Sequence, residues 1–209
     1  MMKLLVLGAT GGIGMEIMRQ AAERDHQVTA FVRAPERLKS IGGHFGVIQG
    51  DLLSSTELAR AIEDQDAILS GFGPRVPIAK TDATLLHRFG VALSEAMRKV
   101  GIRRAVIVST AFLFKDSIIP PTNLVGRLLF PNMVADATEM ESFIQKSGLD
   151  WTLVRPPRLT DRPRRGRLRV REGHLPSFGF TISRADVAAF MIKTAENHAF
   201  IRKVVGVSN

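Results

Sequence analysis

The chain of 209 residues contains no cysteine, no tyrosine and a single tryptophan. Without cysteine there can be no disulfide, no thiolate nucleophile and no cysteine metal site, which excludes a secreted, disulfide-stapled fold. Without tyrosine no phenol can supply a proton to a reaction. No apolar run reaches the roughly 18 residues of a membrane span, so no membrane partner is expected. The opening stretch, MMKLLVL, stops at once in glycines and lacks the apolar length and cleavage site of a signal peptide. It reads instead as a buried strand entering a tight turn. No lipidation or sorting signal follows, which makes the cytoplasm the expected location. The five histidines, His26, His44, His87, His174 and His198, are scattered without ligand spacing, and no metal site is expected. Repeats, low-complexity tracts and linkers are missing as well.

What is present is ordinary for a globular chain. Hydrophobic residues make up 45% and charged residues 23%, which excludes disordered and fibrous classes. The length fits one domain that hides roughly 70% of its unfolded surface. The formal charge is +9, but it is unevenly placed. Eight arginines and one acid, Asp161, fall between Arg155 and Arg171, so this stretch carries +7 and the rest of the chain +2. A local basic segment describes one surface rather than a fold. It fits a solvated loop or hairpin, an anionic substrate, or a nucleic-acid phosphate. It contains no aromatic residue for base stacking, and no helix-turn-helix or zinc pattern accompanies it, so a nucleic-acid partner is not expected.

Short apolar strands alternate with amphipathic helices. Strands are predicted at Lys3–Leu7, Gln27–Val32, Phe45–Gln49, Ala67–Ser70, Ala105–Ser109, Trp151–Val154 and Val204–Val207. Helices are predicted at Gly12–Arg24, Ser54–Glu63, Ala83–Val100, Ala135–Ser147 and Arg184–Glu196, with a short one at Pro35–Lys39. Ser54 or Ser55 and Ser183 are the expected N-caps, and Gly101 and Gly148 end their helices. Near-continuous Val/Ile/Leu strands separated by helices imply a doubly wound α/β fold, a parallel sheet covered on both faces. The expected organisation is one nucleotide-binding domain over residues 1–209. Arg155–Phe180, rich in Pro, Gly and Arg, is the irregular stretch and is expected to form a small lobe over the sheet.

Gly8-Ala9-Thr10-Gly11-Gly12-Ile13-Gly14 follows the first strand and opens the first helix. Gly8 permits the tight turn, Gly11 lets the backbone approach a pyrophosphate, and Gly14 lets the helix pack on the sheet. The helix N-terminus then offers N–H groups and positive potential to phosphate. A glycine motif in this strand–turn–helix setting points to a dinucleotide. It lacks the Gly-Lys-Ser/Thr ending of a phosphate loop. An NAD site commonly places an acid at the end of the second strand. Here that strand ends in Arg33, with no acid between Asp25 and Glu36, and Arg37 lies one helical turn on. A cation there suits a 2′-phosphate, so NADP is the expected cofactor, with NADPH preferred over NADH.

Ligands of such sheets lie beyond the carboxyl ends of the strands. That rule brings in Asp51 and Leu52 near the adenine, and Phe72, Gly73, Pro74 and Arg75 after the fourth strand. Ser109 and Thr110 should lie near the nicotinamide, and Pro156 stiffens the turn into the Arg-rich lobe. Phe112 and Phe114 are candidates for lining a substrate pocket, unless they pack inward. Asp136, Glu139 and Glu141, near the predicted start of a helix, suit its dipole better than acid–base work. Trp151 reads as core.

These residues together resemble the short-chain dehydrogenase/reductase superfamily in its atypical, NAD(P)H-binding, NmrA-like form, and within it the flavin reductase/biliverdin-IXβ reductase kind. The likeness runs through Gly8–Gly14, Val32-Arg33 with Arg37-Leu38, Gly50-Asp51-Leu52 and Gln65-Asp66-Ala67 to Gly73-Pro74-Arg75. It continues through Ser109-Thr110-Ala111-Phe112-Leu113 and Ser147-Gly148-Leu149-Asp150-Trp151 to Arg155-Pro156-Pro157. The resemblance implies an open Rossmann sheet, NADPH as hydride donor, and a flat conjugated acceptor such as FMN or FAD. It also implies that Thr110 stands where the family carries a serine near the nicotinamide. Arg158 replaces the family's histidine after the Pro-Pro pair.

Most of the superfamily reduces carbonyls with a Tyr-x-x-x-Lys pair, which a chain without tyrosine cannot assemble. A flavin acceptor does not need such an acid, because hydride passes to a ring nitrogen and the proton can come from water. The protein then supplies binding and orientation. Thr110 and Arg158 are the candidate catalytic residues. Thr110 would hydrogen-bond the carboxamide or the acceptor, unless it is a satisfied strand-end hydroxyl. Arg158 would attract an acceptor phosphate or propionate. The other function these features allow is a non-catalytic, NADP(H)-sensing regulatory protein. Neither monomer nor dimer is implied.

Overall fold

The computed structural model describes residues 1–38, 44–73, 82–114, 124 and 128–209. The first half alternates strand and helix: β1 (Lys3–Leu7), α1 (Gly12–Ala22), β2 (Gln27–Val32), β3 (Gly46–Gln49), α2 (Ser55–Ile62), β4 (Ala67–Ser70), α3 (Leu85–Val100) and β5 (Arg104–Val108). The second half comprises α4 (Pro131–Lys146), β6 (Asp150–Arg155), β7 (Arg158–Thr160), β8 (Arg169–Glu172), β9 (Thr181–Ser183), α5 (Arg184–Glu196) and β10 (Lys203–Ser208). Two 3-10 turns, Pro35–Leu38 and Ala111–Leu113, follow β2 and β5.

The main sheet runs β3-β2-β1-β4-β5-β6-β10-β8. All its neighbours are parallel except β8, which lies antiparallel on β10. The strand order reverses between β1 and β4, which is where ligands of such sheets bind. Side chains alternate between two cores. Leu4, Val6, Ala30, Leu69 and Val106 pack toward α1 and α5. Leu5, Leu7, Phe31, Ile68 and Ile107 pack toward α2, α3 and α4. That two-sided burial is why the central strands read as unbroken apolar runs. Among the described residues no helix is long and apolar enough to cross a membrane.

The helix ends follow local chemistry. Ser54 Oγ accepts from Glu57 N at 3.3 Å, and Ser183 Oγ from Asp186 N at 3.0 Å. Gly101 ends α3 with φ +86, a conformation that favours glycine. Thr84, at the start of α3, makes no side-chain cap. The buried Asp136 of α4 supplies one instead, accepting from Leu86 N at 2.8 Å and His87 N at 2.7 Å. The helix predicted from Ala135 begins at Pro131, with proline in the first turn where its missing N–H is harmless. Asp136, Glu139 and Glu141 therefore lie beyond the first turn of their own helix, whereas the sequence places them near its start. Asp136 caps a neighbour, Glu139 approaches His87, and Glu141 pairs with Arg155.

Arg104 opens β5 and is only 3% exposed. Its guanidinium donates to Asp150 O, Thr152 Oγ1, Thr194 O and Ala199 O at 2.7–3.0 Å. Burial pushes its pKa down to about 10, and Asp150 opposes that shift. It therefore stays charged at neutral pH. The carbonyls at the C-terminal end of α5 carry the partial negative charge that compensates it.

The Arg-rich stretch is more ordered than its sequence implies. Arg158–Thr160 pairs in parallel with Thr181–Ser183, and Arg169–Glu172 extends the main sheet. One buried carboxylate ties the stretch down. Asp186 accepts from Arg165 N and Gly166 N at 3.1 Å and from Ser183 Oγ at 2.7 Å. Burial alone would raise the Asp186 pKa, but the Ser183 hydroxyl, these two amides and the nearby Arg164 charge together hold it below the usual value. A lowered folded-state pKa contributes stability above the ordinary aspartate pKa, and that stability is lost as pH falls through the folded value. Asp186→Asn is accordingly expected to cost about 1–3 kcal/mol at neutral pH. In chemical denaturation the gap from the parent should close as the solution is acidified below the aspartate range. A gap that stays constant with pH would show that Asp186 does not act as the anchor.

Candidate functional site

At the switch point β1 ends in a turn that only glycine permits. Gly8 has φ +72, and a Cβ there would lie 2.7 Å from Phe72 N. A Cβ on Gly14 would lie 2.1 Å from Gly8 O, so this glycine lets α1 sit against the strand end. Gly11 is the N-cap of α1, makes no side-chain cap, and is followed by no acid in the first turn. The opening turn of the helix thus keeps its positive potential for an anion. Thr10, Gly11 and Gly12 are partly exposed along this turn, while Ile13 is buried in the core beneath it.

Arg33 is exposed at the end of β2, its carbonyl accepting from Gln49 Nε2 at 3.2 Å. Arg37, in the following 3-10 turn, is also exposed. Asp51 is exposed after β3 and receives Leu53 N at 3.1 Å. Leu52 points into the core instead, packed among Phe31, Leu58 and Leu5, so its side chain is not at the surface that an adenine would touch. After β4, Phe72 packs on Phe89 with ring centroids 4.9 Å apart, and Gly73 is exposed. Pro74 and Arg75 lie outside the described residues.

The end of β5 lies against the end of β6. Ser109 N donates to Val154 O at 2.7 Å, and Ala111 N to Pro156 O at 3.2 Å. Thr110 Oγ1 accepts from Phe112 N at 3.3 Å and so caps the short turn that follows. Ser109 Oγ, by contrast, is buried and has no hydrogen-bond partner among the described residues. Of the two neighbours it is Ser109, rather than Thr110, that holds the unmet polar atom. Phe112 is half-buried and stacks with Phe130 at 5.9 Å. Phe114 is only 2% exposed. The guanidinium of Arg155 lies 4.8 Å from its ring centroid and is paired bidentately with the buried Glu141. Phe114 thus faces protein rather than open space, contrary to the pocket-lining expectation, because an ion pair covers its ring. Arg158 is exposed at the start of β7.

One residue at this turn was not found by reading the sequence. Arg184, the first residue of α5, lies across Gly12: an ideal Cβ there would be 2.5 Å from Arg184 Cδ and 2.8 Å from its Nε. Its available signal was a cation directly after the Ser183 cap, where the helix dipole disfavours positive charge. A groove of about 430 Å³ between α2 and α3 is lined by Thr56, Ala59, Arg60, Glu63, Lys99 and Val100. Its lining includes none of the candidate residues.

Residues 8–198 match the NAD(P)H-binding family model. An uncharacterised chloroplastic protein of Arabidopsis thaliana is 29% identical over 98% of this chain and 76% of its own length. A short-chain dehydrogenase/reductase of Veillonella parvula, solved in complex with NADP, superposes with a TM-score of 0.82 at 19% identity, covering 100% of this chain and 94% of that one. The anaerobillin reductase ChuY of Escherichia coli O157:H7 superposes with a TM-score of 0.79 at 23% identity, covering 99% and 96%.

Proposed function

The chain belongs to the NAD(P)H-binding family, and we propose that it is an NADPH-dependent reductase of a flavin or a similarly flat, conjugated acceptor. The observation that carries this reading is the uncapped, acid-free N-terminus of α1 behind the Gly8 turn. Bound NADPH would supply hydride, and the acceptor's proton would come from water. The chain's own residues bind and orient. Gly8, Thr10, Gly11, Gly12, Ile13 and Gly14 form the phosphate turn. Arg33 and Arg37 receive the 2′-phosphate, since no acid occupies the end of β2. The orphaned Ser109 hydroxyl, with Thr110 beside it, is suited to the nicotinamide amide, because a buried polar atom without a partner costs free energy until something pairs with it. Phe112 offers an aromatic face to the acceptor, and Arg158 a charge for its phosphate or propionate. ChuY, of similar fold, is named as an anaerobillin reductase, which supports the reductase reading.

Steady-state oxidation of NADPH and NADH in the presence of FMN tests this. Turnover with NADPH well above NADH is expected; cofactor binding without oxidation of either would favour the sensor reading instead. Arg33→Asp isolates the specificity claim. It should weaken NADPH binding by about 10- to 100-fold, the value of a charge-assisted contact. NADH, which has no 2′-phosphate, should lose no more than about threefold. Equal losses would show that Arg33 does not meet the 2′-phosphate.

A further inference from the structure

Arg184 is brought to the glycine turn by the packing of α5 beside α1. Gln20 Nε2 on α1 donates to Ala185 O at 2.9 Å, which holds the start of α5 against the side of α1. The side chain then crosses Gly12, occupying the space a Cβ would need. A side chain at position 12 would therefore require Arg184 to move, a reason for glycine separate from cofactor approach. The guanidinium ends on Asp161, with Nη1 to Oδ1 at 2.5 Å. The two partners are unequally placed: the Arg184 side chain is 29% exposed and that of Asp161 is 87% exposed. The arginine is therefore held by the fold, while the aspartate is a solvated partner on the Arg-rich lobe.

We propose that Arg184 is the clamp on the cofactor's diphosphate, and that Asp161 is a stand-in anion which the diphosphate displaces. This rests on the dinucleotide reading of the glycine turn. Three features favour it. A cation at the first position of α5 opposes that helix's own dipole, so it is poorly placed unless an anion is nearby. An exposed single-carboxylate pair contributes little and exchanges readily. A diphosphate over the opening of α1 would meet backbone amides and a guanidinium together, a stronger combination than either alone. The exchange would also release Asp161 and with it a constraint on residues 158–167, so the basic lobe would respond to cofactor binding.

The test is equilibrium binding, with no acceptor present, of NADPH and NADH to the parent, Arg184→Met, Arg184→Lys and Asp161→Asn. Both cofactors carry the diphosphate, so Arg184→Met should weaken both by a similar factor of about 10- to 100-fold. Arg184→Lys should recover part of that loss. Asp161→Asn should tighten both by about two- to fivefold, because the competing anion is gone. This common shift differs from the NADPH-selective loss expected of Arg33→Asp. If Arg184→Met leaves both affinities unchanged or improves them, Arg184 is no clamp. An Asp161→Asn variant that binds more weakly would refute the stand-in role. If the parent binds neither cofactor, the dinucleotide reading itself has failed. If Arg184→Met does not fold, Arg184→Lys and Asp161→Asn decide the matter, since a solvated aspartate can be replaced without disturbing the core.

Discussion

Gly11→Asp is expected to abolish binding of both NADPH and NADH while leaving the protein folded. Gly11 has φ −90 and ψ 161, an extended conformation open to any residue. A Cβ there would meet Gly8 O at 3.3 Å, close enough to need a shift of a few tenths of an ångström and no more. Aspartate is among the preferred N-caps, so its carboxylate should bond the opening amides of α1 and stabilise that helix. The same carboxylate would then stand where a diphosphate must bind. Opposed like charges cost several kcal/mol, and the loss should reach about 100-fold or more in Kd. Isothermal titration gives the affinity, and thermal unfolding shows whether the fold is kept. A variant that is stable and still binds NADPH would remove the glycine turn from the cofactor site.

The second large effect lies at the opposite end of the sheet. Arg104→Met removes a buried guanidinium and its four hydrogen bonds to Asp150, Thr152, Thr194 and Ala199, while Thr194 O keeps Ala199 N at 3.2 Å and Ala199 O keeps Thr152 Oγ1 at 3.5 Å. Methionine fills much of the volume but offers no N–H. Each buried acceptor left unpaired costs about 1–3 kcal/mol, and with two of the carbonyls keeping a second donor the expected destabilisation is about 2–4 kcal/mol. The residue is remote from the carboxyl ends of the strands, so the surviving folded fraction should keep the parent's cofactor affinity. Urea denaturation measures the first and titration the second. A loss under about 1 kcal/mol would mean that these carbonyls find other partners.

Much of this was legible in the chain itself. The β1–α1 unit announces itself through an apolar run, a glycine turn and an amphipathic helix, and Ser54, Ser183 and Gly101 mark their helix ends as their side-chain chemistry requires. What escaped has physical causes. The strand Arg169–Glu172 has all four residues exposed, so no alternation of apolar and polar residues betrays it. It is held by backbone pairing to β10, which leaves no mark on composition. The direction of Phe114 depends on the Glu141–Arg155 pair, two residues from separate elements. The role of Thr110 at its turn, and the unmet hydroxyl of Ser109, differ only by which neighbouring amide comes within reach. Arg184 belongs to the last helix and meets the first turn only once α5 packs beside α1. Elements close together in sequence, such as the glycine turn and the helix caps, could be read; contacts joining distant segments could not.

The most direct test of the hydride-transfer account is a single-turnover experiment in the absence of oxygen. The protein is saturated with NADPH and mixed rapidly with FMN, and the nicotinamide and flavin absorbance bands are followed together. The expected result is their simultaneous loss in equal amounts, at a rate well above that of the two compounds alone. Tight retention of NADPH with both bands unchanged would contradict it and leave a protein that binds the dinucleotide without using it.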